Sequence, residues 1–189
     1  MNAMIDDVAA LLGRGMVDNP LHQVVYGTVE AAAARAHARL MRVLVASPRL
    51  HVDVVEHDGT LVGVAASAPP GRCRPSSGTR LRLLAAAARE GPRVAAGLVA
   101  WTGEWARHDP AEPHVHLGPV SVDRHLRGRG IGGVLLARHA RSLDASRAVG
   151  YLETDRPEAV GFYRRFGYDV VGESDVLGVR CWFMRRAGG

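Results

Sequence analysis

The chain of 189 residues contains no lysine, only two cysteines, 5% aromatic residues and no long apolar run. Each scarcity excludes something. Without lysine, the net charge of +5 rests on arginine alone, and acetylation of the chain's own lysine side chains is excluded. Cys73 and Cys181 stand far apart, with neither a C-x-x-C pair nor metal-ligand spacing. No disulfide framework and no metal are therefore expected, and both thiols are expected to be reduced. The arginines are scattered from Arg14 to Arg186 and few aromatics accompany them, so there is no stacking platform and no nucleic-acid partner is expected. The longest apolar run, Val94 to Trp101, falls far short of a membrane span. Asp6 and Asp7 near the start do not suit a signal peptide, so a cytoplasmic location away from membranes is expected.

What is present is ordinary for a globular protein: 47% hydrophobic and 23% charged residues, enough for one domain spanning 1–189 with a full core. Helical spacing of Met4, Ile5, Val8, Leu11 and Leu12 predicts a first helix within 1–17, and Asp18-Asn19-Pro20 a turn. A second helix is predicted over 28–46. Strand-like runs at 50–57 and 61–68 flank Asp58-Gly59-Thr60, a hairpin signal. A loop then leads into a helical insert at about 79–108, broken at Gly91-Pro92. From 114 onward the order is strand, turn, helix (to about 146), strand (151–155), helix (157–167) and two strands (168–175, 179–186). This predicts an α/β (α+β) architecture: a mixed, mainly antiparallel sheet with a central parallel strand pair, flanked by helices.

The most informative stretch runs from His114 to Leu136, HVHLGPVSVDRHLRGRGIGGVLL. Apolar residues at 115, 117, 120 and 122 suit a buried strand, and Gly118-Pro119 a bend or bulge in its middle. Period two would put 114, 116, 118, 120 and 122 on one face. The glycines at 128, 130, 132 and 133 leave the first helical turn bare. Its unpaired N–H groups and the positive end of the helix dipole suit an anion such as a pyrophosphate, beside Arg127 and Arg129. Gly128, Gly130 and Gly133 also spell a dinucleotide fingerprint. That fingerprint needs its first glycine directly after the strand, whereas the polar segment Asp123 to Arg127 intervenes. Only about 60 residues follow, too few for the rest of a dinucleotide domain.

Arg127 to Gly132, RGRGIG, matches Q/R-x-x-G-x-G/A and resembles the pyrophosphate loop of the GNAT superfamily of acyl-CoA N-acyltransferases. YLETDRPEAVGFYRRFGYDVVGE (151–173) resembles that superfamily's second half, and with the hairpin the likeness covers nearly the whole chain. Glu112-Pro113 before the central strand, Leu152-Glu153-Thr154, the FYRR-x-GY segment and Trp182 are similar to puromycin-type acetyltransferases. The resemblance implies a GNAT fold and an acetyltransferase moving an acetyl group from acetyl-CoA to a primary amine of a small molecule, by direct attack in a ternary complex. It implies backbone pairing of pantetheine with Val120 to Val122 (Val120, Ser121, Val122). The pyrophosphate would lie on Arg127, Gly128, Arg129, Gly130, Ile131 and Gly132. Tyr163 corresponds to the tyrosine that protonates the departing thiolate; with an ordinary pKa near 10 it holds a proton at working pH.

The general base is open among Glu153, His116 and His114: a carboxylate on the strand next door, or imidazoles that titrate in the useful range. Two departures bear on the substrate. Ala159 stands where relatives usually carry a cofactor-contacting asparagine, and Val115 where the puromycin enzymes carry a tryptophan near the acceptor. Trp101 and Trp105, four apart on one helix face, either roof the acceptor pocket or fill the core. Rival functions are a non-catalytic acyl-CoA-binding regulator and acetylation of a protein amine. A monomer or homodimer is expected.

Overall fold

The computed structural model describes residues 2–189; residue 1 of the first predicted helix lies outside them. Two N-terminal helices, α1 (Asn2–Gly15) and α2 (Pro20–Tyr26), precede α3 (Glu30–Val45). Strands β1 (His51–His57) and β2 (Thr60–Ala68) form the predicted hairpin, and Asp58 and Gly59 both take positive φ (49° and 70°), as a two-residue primed turn requires. Helices α4 (Ser77–Arg89) and α5 (Pro92–Arg107) are the insert. Then follow β3 (His114–Val122), a short 3-10 turn (Arg124–Leu126), α6 (Ile131–Ser146), β4 (Val149–Thr154), α7 (Pro157–Arg164), β5 (Asp169–Val176) and β6 (Val179–Arg186).

The six strands form one sheet in the order β1-β2-β3-β4-β6-β5, antiparallel except for the central parallel pair β3/β4. Alternation along the strands feeds two layers. Leu152 and Met184 pack with Leu135, Leu136 and Leu143 of α6, while their neighbours Tyr151 and Phe183 pack with Leu21, Val25 and Trp101 of α2 and α5. Val64 points away from α6 as well, into a third cluster with Leu11 and Leu12 of α1 and Val45 of α3. Each such leucine, fully removed from water, contributes about 2 kcal/mol of apolar burial.

Two features differ from expectation. Helix α2 occupies residues read as a plain turn. Pro20 sits at its first turn, where the missing N–H is no loss, and the Asp155 carboxylate at the end of β4 accepts the Leu21 N–H at 2.8 Å, supplying the cap that Asn19 does not. The second difference is the phase of β3. Its register with β2 slips by one residue between Ala65↔Val120 and Ser67↔Leu117, so a bulge sits at Gly118-Pro119, joined by a cis peptide. Val120 therefore shares the α6 face with Val115 and Leu117, and Val122 approaches Gly132 and Phe162 on that side. His114 and His116 face the other way. The predicted common face for 114, 116, 120 and 122 is thus corrected by the very bulge that Gly118-Pro119 signals.

Candidate active site

At the end of β3 the chain turns through Arg124–Leu126 into the N-terminus of α6. Gly128 and Gly130 have φ of 79° and 84°, left-handed values that glycine adopts without penalty. A Cβ at either position would meet open space, so the loop is shaped for close approach from outside. Gly130 caps α6 without a side-chain bond, and the first intrahelical bond is Val134 N–H to Gly130 C=O at 3.0 Å. The N–H groups of Ile131, Gly132 and Gly133 precede it and have no intrahelical acceptor. No acidic residue lies in that first turn, and Arg129 is exposed beside it. These are the properties an anion needs. Arg127 behaves differently from Arg129. Its guanidinium bonds the Asp18 carboxylate (3.1 Å for one of two contacts) and the Gly15 carbonyl, so it ties the loop to the α1–α2 junction.

Beside this loop β3 and β4 pair over only three residues, from His114↔Val149 to His116↔Tyr151, and then part. A cleft of about 1480 Å³ runs there, lined at one side by Gly130, Ile131 and Gly132 and elsewhere by Tyr163, Glu153 and His116. That exceeds what a single small ligand fills and suits two reactants at once. Among the described residues the Tyr163 hydroxyl makes no hydrogen bond to protein, and burial, reinforced by Asp155 against Arg156, pushes its pKa up to about 12. Ala159 and Phe162 of the same helix also line the cleft.

The polar end is organised around His116. Its Nε2 lies 2.8 Å from Oε2 of Glu153, whose side chain is 3% exposed, and its Nδ1 lies 3.7 Å from Oδ1 of Asp109. Burial opposes a charge on the ring, yet the Glu153 charge, the contacts of Cys73 and Glu153 and the Asp109 charge together push it up to about 10. The ring in turn holds the Cys73 thiol below its ordinary value, against burial. His114, the third base candidate, does not join the cleft: it is buried, with Nδ1 bound to the Glu112 carbonyl at 2.9 Å.

Sequence reasoning missed a second polar group in this cleft. His22 and His37 meet Nε2 to Nε2 at 3.2 Å, and His37 Nδ1 meets the Tyr26 hydroxyl at 3.2 Å. Burial lowers both rings, His37 to about 3, so both are neutral. Trp101 packs edge-on against His22 at 4.9 Å between ring centroids, and both tryptophans line the cleft while belonging to the α2–α5 core. No local motif marks His22 or His37; only the packing of α2 on α3 brings them together.

A sheet that splays beside a bare helix N-terminus, with a phenol and a carboxylate along one cleft, offers room for an extended anionic ligand next to a second molecule. The acetyltransferase (GNAT) family profile matches residues 25–168, and the chain belongs to that family. The peptidyl-lysine N-acetyltransferase YjaB of Salmonella typhimurium and of Escherichia coli is 36% identical over 61 residues, 32% of this chain. The chain spans about two fifths of the length of these relatives (41% and 40%). The crystal structure of a histone acetyltransferase HPA2 and related acetyltransferase from Corynebacterium glutamicum superposes with a TM-score of 0.70 at 18% identity, covering 100% of this chain and 93% of that one. A ribosomal-protein-alanine N-acetyltransferase from Brucella melitensis gives 0.56 at 17% identity, covering 99% and 96%. At such identities the likeness establishes the shared fold. The narrower likeness to puromycin-type enzymes rests on the sequence motifs alone.

Proposed function

We propose that the chain transfers the acetyl group of acetyl-CoA to a primary amine of a small molecule, by direct attack with both substrates bound. The observation that carries this is the continuous cleft joining the bare N-terminus of α6 to Tyr163 and Glu153. In this reading Gly128, Arg129, Gly130, Ile131 and Gly132 hold the pyrophosphate, with Arg127 fixing the loop from behind. The backbone of Val120, Ser121 and Val122 pairs with pantetheine where β4 has turned away.

The amine lone pair attacks the thioester carbonyl carbon, the C–S bond breaks, and the nitrogen sheds a proton as it becomes an amide. Glu153 orients the amine and receives that proton. His116, whose Nε2 faces Glu153, acts as a positioning residue that fixes this carboxylate rather than as the base itself. The Tyr163 phenol, protonated at working pH, gives its proton to the departing sulfur, which leaves as the CoA thiol, and the phenolate is reprotonated from solvent. Holding the two reactants in contact supplies much of the rate.

A small acceptor is favoured because the bulky side chains of Trp101, Trp105, His22 and Tyr26 line the cleft. A protein lysine is the second reading, favoured by the partial similarity to YjaB. The two free cysteines suit a reducing cytoplasm, and among the described residues no helix is long and apolar enough to cross a membrane. CoA release measured across a panel of small amines, beside lysine peptides, tests the acceptor class. Turnover confined to the peptides would overturn the small-molecule assignment.

A further inference from the structure

Beneath the polar end of the cleft, two buried histidine nitrogens without hydrogen-bond partners converge with a carboxylate oxygen. His114 and His116 lie two apart on β3, before the bulge, and so project from the same face. His114 is 5% exposed, and its Nδ1 faces the Glu112 carbonyl, which can only accept; the proton is therefore on Nδ1, and the lone pair is on Nε2. That Nε2 is buried with no hydrogen-bond partner among the described residues. His116 is arranged in the opposite sense. Its Nε2 is engaged by the Glu153 carboxylate at 2.8 Å, and its Nδ1 is buried without a hydrogen bond, so that a cation bound there takes the place of the ring proton. Asp109, at the turn that follows α5, brings a carboxylate oxygen to 3.7 Å from that Nδ1. One ligand atom each from Asp109, His114 and His116 falls within 4.8 Å of the others.

Buried polar atoms left unpaired are costly, on the order of 1–3 kcal/mol each. A single cation would satisfy both ring nitrogens and draw on the Asp109 carboxylate beside them. The remaining ring nitrogens already carry the outer partners that metal-bound histidines use to fix tautomer and orientation, a backbone carbonyl for His114 and a carboxylate for His116. The Cys73 thiol lies beside the His116 ring and lines the same cleft, outside the three-residue group, and becomes a ligand only if its side chain turns toward the ion.

We propose that Asp109, His114 and His116 form a binding site for a divalent transition metal, with the Cys73 thiolate as the available fourth ligand. Two imidazoles, a carboxylate and a thiolate select a borderline-soft ion such as Zn²⁺ over Mg²⁺ or Ca²⁺. Cys73 precedes α4 and Asp109 follows α5, so a bound ion ties both ends of the helical insert to β3 and sets the shape of the acceptor end of the cleft. The site goes beyond the transfer reaction, and its test reads no activity.

Titration of the full chain with Co²⁺ is the direct experiment. The site predicts one ion per chain, with the visible absorption of four-coordinate cobalt and a sulfur-to-cobalt charge-transfer band in the near ultraviolet that Cys73→Ser removes. His114→Gln and Asp109→Asn, each verified as folded by its thermal melt, weaken binding at least about tenfold, in line with loss of a metal-site partner. His51→Gln, at the exposed His51–Asp53 pair on β1, leaves binding unchanged. Zn²⁺ displaces the cobalt, and Mg²⁺ does not. Absence of stoichiometric binding, or binding that survives both His114→Gln and Asp109→Asn, overturns the proposal. Acetyl-CoA binding, measured separately, is unaffected by either outcome.

Discussion

Arg127 grips the carboxylate of Asp18 across 109 residues of sequence, with Arg156 bonding the same carboxylate at 3.0 Å from the N-terminal side of α7. Burial works against ionisation of Asp18, but the hydrogen bonds and charges of the two arginines outweigh it and hold the carboxyl well below the usual range. One carboxylate thus fastens the pyrophosphate loop, the α1–α2 junction and the start of α7 to one another.

Replacing that carboxylate leaves two half-buried guanidinium groups facing each other. Asp18→Asn is expected to cost about 2 kcal/mol, between the values for exposed and for buried pairs. Urea denaturation gives the number. The substitution also weakens acetyl-CoA binding, since the loop loses its tether; unchanged stability and unchanged affinity would deny the network any such role.

Tyr163→Phe keeps the ring packed against Phe162 and Tyr168 and removes only the hydroxyl. The turnover number should fall about 10²-fold, as for loss of a positioned proton donor, while the acetyl-CoA dissociation constant stays the same. Equal turnover in the two proteins would reduce Tyr163 to a packing residue.

Glu153→Gln retains the shape of the side chain and abolishes its charge. Steady-state kinetics with a saturating acetyl donor should show a loss of about 10²-fold or more in kcat/KM for the amine. A variant with wild-type kcat/KM would assign amine binding and proton removal elsewhere in the cleft.

Stability should decline on the acid side of neutrality. Burial first, and then Arg186, lowers His139 to about 4, and burial lowers His37 to about 3, whereas both titrate near 6.5 when unfolded. Below pH 6.5 the unfolded chain binds protons that the folded chain refuses. The stability these rings contribute is therefore complete above 6.5 and is lost as pH falls toward their folded values. Each ring accounts for on the order of 2 kcal/mol between pH 7 and pH 5. Chemical denaturation at the two pH values checks this, with His139→Gln flattening the difference; equal stability at both would contradict neutral burial.

Local chemistry was legible in the sequence and distant pairing was not. The bare glycines of RGRGIG and the Asp-Gly hairpin each announce their structure within a few residues, and the order of elements from 114 onward marks the central parallel pair. Helix α2 was hidden because its cap comes from Asp155, more than a hundred residues away, and its first residue is a proline that also signals a turn. The facing of β3 required the bulge at Gly118-Pro119 to be carried through to Val120 and Val122, where an unbroken alternation misplaces them. Arg127 reads as a phosphate ligand by its position in the motif, and only the folded chain reveals that Asp18 occupies its guanidinium. Likewise His22, His37 and Asp109 carry no signal of their own until packing brings them to the cleft.

The transfer reaction proposed for the cleft depends on the N-terminus of α6 holding the acyl donor. Calorimetric titration of the native chain with acetyl-CoA, beside an Arg129→Glu, Gly130→Asp double variant, addresses that placement without intermediate steps. One micromolar site per native chain is expected, and at least about a hundredfold weaker binding once two carboxylates stand against the helix dipole. Equal binding by both proteins would contradict the placement of the pyrophosphate, and no binding by the native chain would contradict the proposed use of acetyl-CoA as donor.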